Sequence, residues 1–146
     1  MPVSSHRRPP RGGIDPVRSA ADAMAVFGTQ ITRPLAAETL VMFLGDDRRG
    51  TQLITVGGTD RREQLVEIVE VMAQAAGRVP EIAGLVLATV RPGGEMVAAD
   101  TDLWLEAADM AEQCGIELID WLLVTRHGVV SPREQLGMPS RWQYGP

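Results

Sequence analysis

Residues 82–90, Ile-Ala-Gly-Leu-Val-Leu-Ala-Thr-Val, constrain this chain more than any other stretch. They form its longest apolar run, yet fall far short of the ~20 residues needed to cross a bilayer, so no transmembrane helix is expected. Apolar and β-branched side chains follow one another without polar alternation, which is the pattern of a strand buried on both faces. Immediately upstream, Leu65, Ile68, Val69, Met72 and Ala76 recur on one helical face, and Asp60 and Glu63 have the spacing of a capping box. Residues 77–80 break that helix. A helix running into a buried strand implies a crossover connection, and with it an α/β fold.

The rest of the chain supplies the other elements. Ser19 or Asp15 can start a short helix through Ala20, Ala21, Ala23, Met24 and Val26 that ends near Gly28. Residues 38–45 and 51–56 read as two strands around the turn Asp46-Asp-Arg-Arg-Gly50, a hairpin closed by Gly57-Gly58. After the loop 91–97, a helix is expected from about Asp100, with Leu103, Ala107, Met110, Ala111 and Cys114 facing inward and Gly115 as its stop. Residues 116–125 form a further strand, and Arg126-His-Gly128 turns into Val129 and Val130. Residues 131–146 show little regular pattern. The sum is one α/β domain over residues 14–146, with a mixed central sheet flanked by helices; 146 residues suit a single core.

Charge narrows the function. All fourteen basic residues are arginines, so lysine-dependent phosphate loops, Schiff bases and lysine-assisted nucleophiles are excluded. The net charge is −5, but Arg7, Arg8, Arg11 and Arg18 face only Asp15 at the N-terminus, leaving an acidic body. Such a body is a poor binder of nucleic-acid phosphates, which restricts any such contact to the arm. Residues 1–13, rich in arginine, proline and glycine, are expected to be a disordered arm. They lack the apolar stretch of a secretory signal, and the single cysteine, Cys114, has no internal partner; both favour the cytoplasm.

Few residues offer chemistry. Gly57-Gly58 and Gly93-Gly94 lack the spacing of a nucleotide-binding loop and read as turns. No serine sits in a Gly-x-Ser-x-Gly elbow. His6 lies on the arm and His127 in a turn, and neither joins a ligand cluster. Trp104, Trp121 and Trp142 are too scattered for a base-stacking platform and suit packing or an interface.

From Glu38 onward, over about 100 residues, the order of motifs resembles the RadC family of bacterial JAB/MPN domains. Glu38-Thr-Leu-Val-Met-Phe-Leu-Gly-Asp46 looks like the family's Glu-led strand, Gly58-Thr59 its Gly-Thr, and Gly115-Ile-Glu-Leu-Ile-Asp120 its late strand. The resemblance implies a JAB/MPN fold and a DNA-repair-like family, with zinc held by a His-x-His-Pro segment and a later Ser-x-x-Asp, and an upstream glutamate acting on zinc-bound water. Aligned through Pro92, this chain places Thr89 and Arg91 at the two histidine positions and Ala99 at the serine, keeping Asp102 and, as the candidate general base, Glu38. Trp121 stands where the family often has histidine.

Catalytic zinc normally needs three protein ligands and an exchangeable water, which one carboxylate does not supply. The expectation is therefore a pseudoenzyme, with no metal and no cofactor, that acts by binding or assembly on a protein partner or a second copy. Arg91, Asp102 and Glu38 are the candidate binding residues, with Glu38 and Asp102 as vestiges of catalysis. Arg91 is expected to fork onto Asp102 or Glu38, a fixed cation in the place of zinc. Two alternatives stand beside this: a divergent zinc-dependent hydrolase recruiting metal through Asp102, Glu38 and His127, and a DNA-associated accessory protein using the arginine arm.

Overall fold

Four helices and five strands alternate along the computed structural model, which describes residues 8–142. The elements are α1 (Ala20–Phe27), β1 (Glu38–Leu44), β2 (Gly50–Gly57), α2 (Gln64–Ala76), β3 (Gly84–Val90), α3 (Ala99–Gln113), β4 (Glu117–Thr125), β5 (Gly128–Val130) and α4 (Pro132–Gln135). The strands form one mixed sheet in the order β2-β1-β3-β4-β5. β1 pairs antiparallel with both β2 and β3, β3 pairs parallel with β4, and β4 antiparallel with β5. β2 and β3 thus run the same way on either side of β1, and α2 makes the crossover that its amphipathic stripe implied. α3 makes the second crossover, from β3 to β4. No helix of the described residues is long and apolar enough to cross a membrane.

Every residue of β1 and β3 is buried, as expected of strands covered on both faces. Side-chain alternation divides the core in two. Val41, Phe43, Leu85, Leu87 and Leu123 meet Leu65 and Val69 of α2 and Trp104 and Ala107 of α3. On the other face Leu40, Met42, Val86, Ala88 and Leu122 meet Ala23 and Phe27 of α1, with Val17 and Trp142. β4 changes step once: Leu85 pairs Leu118 but Val86 pairs Asp120, so Ile119 is an extra residue and shares a face with Asp120. Gly84, paired with Glu117 just before this bulge, leaves room for Ile119: a Cβ there would stand 2.7 Å from Ile119 Cδ1, and that buried side chain would have to shift.

Several local expectations are corrected. The capping box at Asp60 and Glu63 does not form: no side chain caps α2 at Glu63, and Gln64 Oε1 instead accepts from the Arg61 backbone N–H at 2.8 Å. In α3 the expected residues Leu103, Ala107, Met110, Ala111 and Cys114 do pack on the core, but the largest side chain there is Trp104, fully buried and absent from that expectation. Cys114 is the half-buried C-cap of that helix, and Gly115 at φ +76 ends it as anticipated. The stretch from Ser131 contains α4, whose Ser131 N-cap accepts from the Glu134 N–H. Of the arm expected over residues 1–13, residues 1–7 lie outside the described residues. Nearer the body, Gly13 N–H donates to the Gly50 carbonyl at 2.8 Å and Arg11 pairs with Asp15.

Candidate functional site

A cavity of about 430 Å³ opens at the carboxyl end of β3, between the start of α2 and the loop that leads into α3. This is the crevice position where α/β sheets commonly take ligands. Its floor is polar in an unusual way. Thr39 and Thr89 face each other directly in the β1–β3 register, and Thr59 follows the glycine pair that ends β2. Their hydroxyls form a row, with Thr39 Oγ1 2.9 Å from Thr59 Oγ1 and 3.1 Å from Thr89 Oγ1. At its end the Trp121 indole N–H donates to Thr89 Oγ1 at 2.9 Å. All four side chains are more than nine-tenths buried.

One wall is ionic. Arg91, the first residue after β3, forks onto Asp100 with both Nη1···Oδ2 and Nη2···Oδ1 at 2.7 Å. Arg62 adds Nε to Oδ1 at 3.1 Å, and the Val97 backbone N–H donates to Oδ2 at 2.8 Å. Asp100 is fully buried and accepts four hydrogen bonds. Burial alone would push its carboxyl up, but the Arg91 hydrogen bonds, the Val97 N–H and the two guanidinium charges outweigh that and hold it below the ordinary 3.8. Arg91 is itself mostly buried and lies over the Trp121 ring, 5.8 Å from its centre. Arg62 is more open, 40% exposed, and its two terminal nitrogens have no partner among the described residues.

The expected partners of Arg91 are therefore corrected. Asp102 is exposed on α3, out of phase with the core stripe, while Asp100 lies four residues before Trp104 and seven before Ala107, on the inward face. Glu38 is buried, but it alternates with Leu40 and Met42 onto the α1 side of the sheet, away from the cavity. There it accepts from the Thr32 N–H at 2.8 Å and the Thr32 hydroxyl at 2.9 Å. His127 is an exposed turn residue whose nearest acid, Glu95, is 4.0 Å away. Neither the threonine row nor Asp100 was singled out from sequence; helical phase counted back from Trp104 would have found Asp100.

The zinc site that the resemblance implies is not matched by these residues. Thr89 spends its oxygen on Thr39 and Trp121, Arg91 brings a cation, and Glu38 and Asp102 lie on other surfaces. Among the described residues no group of three His, Cys, Asp or Glu side chains comes together as a metal site.

A second buried aspartate lies on the opposite face of the sheet. Asp120 accepts from Ser131 Oγ at 2.8 Å, Trp142 Nε1 at 3.0 Å, Arg133 Nη2 at 3.3 Å and the Trp121 backbone N–H at 3.0 Å. Arg133 also donates to the Met138 carbonyl at 3.0 Å. These contacts fasten α4 and the segment after it to β4. No protein-family model matches the chain, and the search of curated proteins returns no match.

Proposed function

We propose that this chain is a RadC-like JAB/MPN domain that works by binding or assembly, with an arginine-aspartate pair in the crevice where the resembling family holds zinc. The observation that carries this reading is the Arg91–Asp100 fork. Arg91 occupies the second histidine position of the aligned segment, and its guanidinium already neutralises the one buried carboxylate in the crevice. A fixed cation at that point repels a divalent ion and supplies no acidified water, so the chemistry left is recognition. The mixed sheet with helices on both faces supports the same reading at the level of fold alone.

The test is metal content with activity. Purified protein is expected to carry well under one zinc per chain and to show no chelator-sensitive cleavage of peptide or isopeptide substrates. Stoichiometric zinc together with chelator-sensitive hydrolysis would overturn the reading.

A further inference from the structure

We propose that the cavity beside Arg62 binds the carboxylate of a ligand with an apolar body. This deepens the binding role proposed above and rests on it. The hydroxyl row carries the first argument. Trp121, Thr89, Thr39 and Thr59 own four N–H or O–H hydrogens but make only three mutual contacts, and no other partner exists for them among the described residues. One hydroxyl hydrogen is left without an acceptor. Whichever threonine carries it, that residue is more than nine-tenths buried and lines the cavity. A buried donor without a partner favours a ligand that brings an acceptor.

Arg62 carries the second. Its Nε is engaged by Asp100, which fixes the guanidinium plane, while the Nη1 and Nη2 edge remains unbonded at the cavity wall. That edge is the fork that matches the two oxygens of a planar carboxylate. The surrounding charge disfavours a dianion. Arg61, Arg62 and Arg91 are balanced by Asp60, Glu95 and the buried Asp100, so no surplus of positive charge awaits a dianionic phosphate. Leu65, Val97 and the Trp121 ring line the rest and give an apolar body somewhere to lie.

Titration of the full chain, followed by the Trp121 indole N–H resonance, tests this, with Trp121→Phe identifying the peak. Hexanoate stands for a free acid and N-acetyl-leucine for a peptide C-terminus; N-acetyl-leucinamide and inorganic phosphate are the controls. Acceptor binding at the threonine row should move the Trp121 resonance through Thr89. Both acids are expected to bind with saturation by about 10 mM. The amide should bind about tenfold more weakly, Arg62→Gln should weaken the acids about tenfold, and Arg78→Gln, an exposed site elsewhere, should not weaken them. Tighter binding of N-acetyl-leucine than of hexanoate assigns a peptide terminus, and the reverse assigns a free acid. Equal affinity for acid and amide, tighter binding of phosphate, or no response to either acid overturns the inference. Failure in a sample low in zinc sinks this inference alone, whereas stoichiometric zinc sinks the binding reading beneath it.

Discussion

Asp100 and Asp120 are both fully buried, both accept four hydrogen bonds, and both meet an arginine, yet they lie on opposite sides of the sheet and do different work. Around Asp120 everything is closed. Arg133, 5% exposed, donates to Asp120 and to the Met138 carbonyl, Ser131 and Trp142 donate to the same carboxylate, and the contacts tie α4 and the segment after it to β4. Around Asp100 one side is left open, because Arg62 is 40% exposed with two donors facing a cavity. A saturated carboxylate in a dry site is a fastener. Arg133 also keeps an unpartnered Nε, but it is buried, whereas the free donors of Arg62 open on a cavity and can meet a ligand.

Asp120→Ala should be the most damaging change, about 3–5 kcal/mol in chemical denaturation, because it strands the buried Arg133 guanidinium without water. Asp100→Ala should cost about 2 kcal/mol, less because Arg62 and part of Arg91 can reach solvent. Equal losses at the two sites would erase the distinction drawn between them. Next, Arg91→Ala combined with Asp100→Asn should show a coupling of about 1–2 kcal/mol in a double-mutant cycle, whereas Arg91→Ala with Asp102→Asn should add independently. Coupling to Asp102 would restore the pairing expected from the aligned segment. Asp102→Asn alone should stay within about 0.5 kcal/mol of the parent.

Acid provides a further test of the Asp100 site. The Asp100 carboxyl is lowered in the folded protein, so its stabilising contribution is complete above the unfolded value of 3.8 and disappears as pH falls through the lower folded value. Across that acid interval the unfolded chain binds the extra proton, and stability should drop. Denaturant titrations of Asp100→Asn should show a shallower acid slope than the parent, and an unchanged slope would mean that Asp100 is not held in its ionised form.

Local patterning announced much of the architecture, because helix period and unbroken apolar strands are properties of neighbouring residues. α2, β3 and the β1–β2 hairpin stand close to where residues 60–76, 82–90 and 38–56 place them. The candidate site was less legible. Asp100 and Asp102 sit in the same first turn and differ only in phase, and the aligned motif favours the one that faces solvent. The threonine row joins residues 39, 59, 89 and 121 through strand register, which no local window contains. α4 is four residues long and is held by contacts to Asp120, so its stretch carries no period of its own.

The extra residue at Ile119 works as a phase joint in β4. Leu118 before it and Trp121 after it both face the helix pair, although strict alternation over three steps would send them to opposite sides. Were residues 118–121 all to alternate strictly, the indole that ends the threonine row would turn toward α1 and the carboxylate that fastens the chain's last described segment would turn toward α3. A deletion of Ile119 alone should leave the downstream side chains on their present faces, whereas inserting one residue beside it should exchange them all. A single residue of slack thus decides which side of the sheet receives the indole and which receives the carboxylate.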